Sequence, residues 1–240
     1  MTRRLVAEGS RAVVLTGSHA RSAAGPHSDV DVTAIVDRTP PEDRMEVLGG
    51  ELFSIAWHTV DEERAAMRNP ARAGAAVPAW RAVQVLHDPD GIAAGLQREA
   101  REWRWDDIGD ACDAWVAEQV TGFAEEVHKL VGARARGDGL STAIQRSILA
   151  LRLGPIMAVA ERLLYESENV LWHLLDERFG DPWRSTQAAA LGLGGRSTET
   201  AADAALELYR LAAARVDPLL DERQRAVVER ALRLIADGPA

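Results

Sequence analysis

Cysteine is almost absent from this sequence, since Cys112 is the one cysteine among 240 residues. An internal disulfide is therefore excluded, and the composition is consistent with a reducing compartment. We accordingly expect a cytoplasmic protein. Cys112 lies in a helical stretch rich in alanine and tryptophan, where it is expected to be a small buried hydrophobic residue.

Long apolar segments are also missing. After Met1-Thr2-Arg3-Arg4, only three apolar residues precede Glu8, so the N-terminus has no signal-peptide core. Elsewhere the sequence has no uninterrupted run of about 18 apolar residues, the length that a membrane-spanning helix needs. The sequence therefore predicts no association with a membrane.

Basic residues are scarcer than acidic ones. The chain has 28 lysines and arginines against 37 aspartates and glutamates, which gives a net charge of −9. Proteins that bind polymeric nucleic acid need a basic surface, so we do not expect such a partner. A small-molecule partner fits better, and a cationic one is favoured. The sequence leaves a homodimer open.

Two short apolar, β-prone runs flank the most informative stretch of the chain. Residues 12–16 precede it and residues 32–36 follow it. Between them come Gly17-Ser18 and, after ten further residues, Asp29-Val30-Asp31. On a strand, Asp29 and Asp31 point to the same face, where two like charges repel unless a cation lies between them. Gly17 permits close approach of the backbone, and Ser18 begins a helix or turn whose free N–H groups attract phosphate.

The rest of the sequence divides into two halves of different character. Strands are predicted at about 12–16, 29–36, 51–59 and 82–87, with a short helix at 41–48 and a longer one at 91–102. Beyond residue 107 the β-branched runs disappear and helical periodicity continues to the end, with Pro155 expected to kink or split one helix. We therefore predict an α+β domain over residues 1–105 and an all-helical domain over residues 106–240.

The Gly-Ser and Asp-x-Asp motifs, with this spacing, resemble the signature of the polymerase-β-like nucleotidyltransferase superfamily. Ala20-Arg21 after the Gly-Ser pair and Ser28 before the first aspartate are usual in its small bacterial members. The helical half is similar in layout to that of kanamycin-type and streptomycin-type aminoglycoside nucleotidyltransferases. The resemblance implies a mixed β-sheet flanked by helices and a helical domain that receives the acceptor.

The resemblance also implies a set of site residues and cofactors. Two Mg²⁺ ions would be held by Asp29, Asp31 and a third carboxylate, for which Glu51 at the start of a predicted strand is the best match. Asp61 and Glu62 are fallback candidates for that carboxylate. The remaining implied contacts are those of the ATP or other nucleoside triphosphate, namely Gly17, Ser18, Arg21 and Ser28.

The implied reaction is attack of a substrate hydroxyl on the α-phosphorus of the nucleotide, with pyrophosphate leaving. In kanamycin-type relatives a glutamate of the helical domain acts as the general base, with a lysine one turn later. Glu125 and Lys129 have that spacing, although an acid four residues before a lysine is also an ordinary solvated pair. Glu118, seven residues earlier on the same face, is the rival candidate.

Three functional readings follow from these motifs. The first is an enzyme that transfers AMP, or another nucleoside monophosphate, to a small aminoglycoside-like molecule. The second is an adenylyltransferase of the antitoxin type that modifies a protein, and the helical half argues against it. The third is a nucleotide-binding module without catalysis, which an intact set of three carboxylates would disfavour.

The histidines show no metal-ligand spacing, so zinc is not expected. Of these, His19 and His27 fall within the motif and could contact phosphates, but as loop residues they are expected to be exposed.

Overall fold

The computed structural model describes residues 1–38 and 41–238 and divides the chain into two compact units. The first unit comprises Met1–Ile108 together with Leu164–Ser167, and the second comprises Gly109–Leu163 and Glu168–Ala240. The division after Ile108 lies three residues beyond the predicted boundary. The short segment Leu164–Ser167, which sequence assigned to the helical half, belongs to the first unit.

A mixed sheet forms the centre of the first unit, as expected, and it has five strands where the sequence predicted four. Its strands are β1 (Ala12–Leu15), β2 (Val30–Val36), β3 (Arg44–Leu48), β4 (Glu51–Thr59) and β5 (Gln84–His87). They lie in the order β3-β4-β2-β1-β5. The β2–β4 pair is parallel, whereas the other three neighbouring pairs are antiparallel. This parallel pair carries the residues that define the candidate site.

Strand β3 corrects the prediction of a short helix at 41–48. Met45 and Val47 are exposed and alternate with the half-buried Arg44 and Glu46, which is the period of a strand. Gly49 and Gly50 both have positive φ and join β3 to β4 in a tight hairpin. A Gly-Gly pair between two such runs is a hairpin signal, and it outweighs the helical propensity of the residues before it.

Helices pack on both faces of this sheet. They are α1 (Thr2–Ala7), the short α2 (Gly17–Ala20), α3 (Val60–Arg68), α4 (Pro70–Ala82) and α5 (Ile92–Glu102). Helix α3 begins at a capping box, because the Thr59 hydroxyl accepts from the Glu62 amide and the Glu62 carboxylate accepts from the Thr59 amide. Helix α4 follows directly, with Asn69 as its N-cap and Pro70 at its first position.

The alternation of side chains along β1 and β2 divides the core of the first unit into two clusters. Val13, Val32 and Ala34 face α1 and pack with Leu5. On the other face, Ile35 belongs to a cluster that is completed by residues of α3, α4 and α5. Burial of each large aliphatic side chain contributes about 1.5–3 kcal/mol. Asp31 lies on the second face, because it is separated from Ile35 by an even number of residues.

The second unit is helical, as predicted. Its helices are α6 (Gly109–Gly122), α7 (Ala124–Ala135), α8 (Gly139–Ala160), α9 (Glu168–Phe179), α10 (Trp183–Ala190), α11 (Thr198–Val216) and α12 (Glu222–Asp237). The helical stretch after residue 108 is divided at Phe123, which separates α6 from α7. Pro155 does not split α8, which continues past it for five residues. The last helix starts at Glu222, because Asp221 and Gln224 form its capping box.

Helix α8 is the central element of the second unit and packs against α6, α7, α9, α10 and α11. By length and composition alone it is apolar enough to cross a membrane, with a mean hydropathy of 1.3 over its most apolar window. Just beyond its end, the buried carboxylate of Glu161 accepts hydrogen bonds from Arg178 on α9 and Arg215 on α11. Burial would raise the pKa of Glu161, but these two arginines outweigh it and lower that pKa.

Candidate functional site

Gly17 and Asp31 of the predicted motif lie directly against each other. Gly17 follows β1 with φ +63°, and a Cβ atom placed on it would lie 1.9 Å from Asp31 Oδ2. The two segments are fixed side by side because the Thr16 amide donates to the Asp31 carbonyl at 2.9 Å. Only glycine leaves room here for the carboxylate, so the backbone of the Gly-Ser turn is in direct contact with the Asp-x-Asp strand.

Helix α2 and the loop after it frame this contact. Ser18 lies in the first turn of α2, whose N-cap Thr16 provides no side-chain cap, so the first N–H groups remain available to an acceptor. Ser28 closes the loop, because its Oγ accepts from the Gly25 amide at 2.9 Å. Gln84 of β5 donates to the Ala20 carbonyl at 2.7 Å and holds the end of the helix.

Asp29 and Asp31 interact electrostatically at the start of β2. The pKa of Asp31 is raised, first by burial and then by the negative charge of Asp29. Arg21 and His19 act in the opposite direction on the same carboxyl. The site therefore concentrates negative charge that the protein only partly compensates, and a cation would relieve this repulsion.

His19 is a site residue that sequence reasoning undervalued. It was expected to be an exposed loop residue, but it is half-buried in α2 and its Nε2 is buried with no hydrogen-bond partner. The signal for it was its position directly after Ser18, inside the turn that approaches Asp31. His27 is exposed, as expected.

Arg21 forms an ion pair with Glu166, with 3.3 Å between Nε and the Glu166 carboxylate. Glu166 belongs to the segment Leu164–Ser167 that returns to the first unit. The Arg21 side chain is mostly buried, so its charge acts on Asp31 with little screening by solvent. Arg21 is thus an ion-paired cation that also acts on the Asp31 carboxyl.

The structure does not bring Glu51 to the two aspartates. In the parallel β2–β4 pair Asp31 is opposite Ser54, so Ser54 shares its face of the sheet. Glu51 precedes Ser54 by three residues and lies on the other face, exposed at the end of the β3–β4 hairpin. The strand start was predicted correctly, but the side chain faces the wrong way for a third ligand. Of the fallback candidates, Glu62 is engaged in the capping box of α3 and Asp61 is exposed.

The donor set fits one divalent cation. Asp31 on β2 and Asp29, directly before the strand, offer carboxylate oxygens, which are the ligands that Mg²⁺ prefers together with phosphate and water. Among residues 1–38 and 41–238, however, no group of three or more His, Cys, Asp or Glu side chains is placed to hold a metal ion. Asp29 and Asp31 would thus be the protein ligands of such an ion.

A cavity of about 380 Å³ adjoins this face of the sheet. Thr16 and Thr33 form its sheet wall, and Thr33 is two residues along β2 from Asp31 on the same face. Alanine methyl groups of α3 and α4, together with Glu63 and Trp80, form much of the remainder. The volume is in the range of small-molecule sites, and the charged residues of the wall are Glu63 and Arg72.

A hydrogen-bonded cluster at this cavity was not anticipated. Glu63, which is buried, accepts from Trp80 Nε1 at 2.7 Å and lies 2.5 Å from His58 Nδ1. The pKa of His58 is raised, above all by this hydrogen bond to Glu63, although burial acts against it. Asp43 and Glu62 add smaller contributions in the same direction as Glu63. The cluster joins β4, α3 and α4 at the edge of the cavity.

This raised pKa predicts a pH-dependent stability. The favourable contribution of protonated His58 is complete below its unfolded pKa of about 6.5 and is lost as the pH rises through the folded value. We expect His58→Gln to cost about 1–3 kcal/mol at pH 5.5, where the charged hydrogen bond is lost, and less at pH 8.5. Urea unfolding at both pH values measures this, and an equal loss at both would contradict it.

Glu125 lies on α7 of the second unit. Its carboxylate and that of Glu126 each lie 2.9 Å from Lys129 Nζ. Lys129 has a raised pKa because of these hydrogen bonds, with that of Glu126 first. Glu125 is therefore in an exposed ion pair, which is the ordinary arrangement that the sequence also allowed. Its role as a base, and that of Glu118 on α6, remain predictions.

Comparison with known proteins gives a family match for part of the chain. Residues 3–73 match the family model of the nucleotidyltransferase domain. No curated protein matches the chain. The crystal structure of a nucleotidyltransferase-like protein from Exiguobacterium sibiricum 255-15 is similar over 96% of this chain and 75% of that one, with 12% identity and a TM-score of 0.48. The residues matched by the family model include Gly17, Asp29 and Asp31.

Proposed function

We propose that this protein transfers a nucleoside monophosphate, with AMP as the first choice, from a nucleoside triphosphate to a hydroxyl of a small molecule. The observation that carries the proposal is the packing of Gly17 against Asp31 at the end of β1. This packing puts a backbone turn with available N–H groups beside a carboxylate pair, within a segment that matches the nucleotidyltransferase domain. Such a site can hold a triphosphate and its cation together.

Each residue of the site has a distinct part in this reaction. Asp29 and Asp31 would hold a divalent cation, which when bound activates the attacking hydroxyl and stabilises the leaving pyrophosphate. The first N–H groups of α2, at Ser18, donate to phosphate oxygens. Arg21 supplies positive potential toward the transferring phosphate. The new bond joins the acceptor oxygen to the α-phosphorus, and the bond from that phosphorus to pyrophosphate breaks.

The acceptor is proposed to be a small cation of the aminoglycoside type, bound with help from the helical second unit. The net charge of −9 favours a cationic molecule over an anionic one. Glu125 is the proposed acceptor of the hydroxyl proton, with Glu118 as the alternative. The reaction would take place in the cytoplasm, where nucleoside triphosphates are available.

The direct test is a matrix of nucleotides and acceptors in the presence of Mg²⁺. Pyrophosphate release and the mass of the modified acceptor are both measured. We expect release that requires a nucleotide and an acceptor together, and a product heavier by one nucleoside monophosphate. Nucleotide binding without release across the matrix would contradict catalysis, and a labelled protein in a lysate treated with labelled ATP would redirect the proposal to a protein acceptor.

The second candidate function is nucleotide binding without turnover. It is favoured by one observation: the face that carries Asp31 has Ser54, not a carboxylate, at the adjacent position of β4. Calorimetry that finds tight nucleotide binding, combined with no turnover in the matrix, would support this function over transfer.

A further inference from the structure

The sheet register identifies the residue next to the aspartate pair. Asp31 of β2 is opposite Ser54 of β4, and Ser54 is opposite Met45 of β3. Directly paired residues of neighbouring strands project to the same face, with strands about 4.8 Å apart. Ser54 therefore occupies the position on β4 from which a side chain would reach a cation bound at Asp31.

Ser54, its β3 partner Met45 and its same-face neighbours Leu52 and Ala56 carry no carboxylate. Ser54 carries a hydroxyl, Met45 a thioether, and Leu52, two residues before Ser54 on the same face, an isobutyl group. On the opposite side of Asp31, the neighbouring chain is Thr16-Gly17. Among the described residues at these strand positions, the negative charge available to a cation is that of Asp29 and Asp31, whereas Glu63 lines the adjoining cavity and is hydrogen-bonded to His58 and Trp80.

Two carboxylates are a sparse set for two metal ions. In two-metal sites the ions are about 4 Å apart, and their mutual repulsion has to be offset by anionic ligands that bridge and flank them. One Mg²⁺ is commonly held by one or two carboxylates with substrate phosphates and water completing its shell. The two carboxylates of this site match the arrangement that holds one Mg²⁺.

We propose that this site holds one divalent cation, and that Ser54 is the residue that limits it to one. This inference rests on the proposed function, in that the ion is the one that accompanies the nucleotide. It replaces the two-ion site that the sequence resemblance implied. A carboxylate at position 54 would supply the missing ligand and create a second ion position.

The test measures Mn²⁺ directly, because Mn²⁺ uses the same oxygen ligands as Mg²⁺ and its binding is visible by electron paramagnetic resonance. The nucleotide-free protein is titrated as the parent chain and as Ser54→Asp, Ser54→Asn and Glu51→Gln. Ser54→Asn controls for the size of the new side chain. Glu51→Gln removes the carboxylate that the register places on the other face. A second titration contains α,β-methylene-ATP, whose α–β bridge cannot be cleaved.

We expect Ser54→Asp to bind Mn²⁺ at least about tenfold more tightly than the parent, because it adds a charged ligand. Ser54→Asn and Glu51→Gln should stay within about twofold of the parent. With the nucleotide analogue, the parent should hold one Mn²⁺ per chain and Ser54→Asp two. Ser54→Asp should also melt at a lower temperature in chelator and recover with Mn²⁺, because its added charge repels Asp31 until an ion binds.

The outcomes separate this inference from the proposed function. Two Mn²⁺ ions on the parent with the analogue, or weaker binding in Glu51→Gln, would overturn the one-ion site while leaving nucleotidyl transfer intact. Equal Mn²⁺ affinity in folded Ser54→Asp and Ser54→Asn would overturn the role of Ser54. Failure of the parent to bind the analogue would count against the proposed function, whereas the nucleotide-free titration would still decide the role of Ser54.

Discussion

Replacing Asp31 with asparagine is expected to lower nucleotidyl transfer at least about 10³-fold, equivalent to about 4 kcal/mol of transition-state stabilisation. The substitution keeps the shape of the side chain but removes one of the two charges that would hold the cation. It also leaves intact the Asp31 carbonyl that accepts from the Thr16 amide. Steady-state pyrophosphate release with saturating nucleotide measures the loss.

The same substitution should not destabilise the protein. An acid whose pKa is raised in the folded state carries a cost once the pH exceeds its unfolded pKa, because folding then favours the protonated form. Asp31→Asn removes that cost at pH 7, so its Tm without metal should equal or exceed that of the parent. If Asp31→Asn were inactive because it unfolds, its Tm would lie below that of the parent.

Asp37→Asn provides a matched control for the chemical change. Asp37 follows β2 and forms an exposed ion pair with Arg11 at 2.6 Å. Exposed pairs contribute about 0–1 kcal/mol, so activity should stay within about threefold of the parent. If Asp31→Asn transferred nucleotide at a rate within tenfold of the parent, at equal nucleotide concentration, Asp31 would not take part in the reaction.

Gly17→Ala is the second large effect that we expect, with a loss of about 10²-fold or more in activity. The new methyl group would overlap Asp31 Oδ2, at 1.9 Å, and Asp31 Cγ, at 2.8 Å. Asp31 or the turn would therefore have to move by about an ångström, and displacements of that size cost about 10²-fold when they misplace reacting groups. The positive φ adds about 1–2 kcal/mol of backbone strain.

Gly49→Ala is a control that introduces the same backbone strain as Gly17→Ala without a steric overlap. Gly49 has the same φ of +63°, but a Cβ atom there would meet no atom within 4 Å. We expect it to lose comparable stability in urea unfolding and to keep its activity. Equal activity in the two variants would show that the contact between Gly17 and Asp31 is unimportant for transfer.

Local sequence was sufficient for the parts of the site that are close in the chain. Gly17, Asp29 and Asp31 lie within fifteen residues of one another, and the flanking apolar runs determine both strands. Local sequence was not sufficient to predict which face of β4 meets Asp31. Residues 51–59 were correctly predicted as a strand, and their alternation was known, but which of its two faces meets Asp31 depends on the register with β2.

Two other differences between the sequence prediction and the structure also arise from contacts between segments that are distant in the chain. The segment 41–48 is a strand because it pairs with β4 across a glycine turn, a contact that its own helical propensity does not reveal. His58 and Glu63 are five residues apart, but their link with Trp80 arises only when α4 folds back over α3. Sequence periodicity therefore does not predict pairings between distant segments. Helix caps and tight turns, in contrast, can be recognised from local sequence.

The segment Leu164–Ser167 has a consequence for how the protein is made. Tyr165 donates its amide to the Gly74 carbonyl at 2.9 Å, and Glu166 pairs with Arg21. Because synthesis proceeds from the N-terminus, these partners leave the ribosome only after α6, α7 and α8 have been translated. The unit that contains the candidate site is thus finished late, although nearly all of it is encoded first. A fragment ending at residue 108 would leave Gly74 and Arg21 without these contacts.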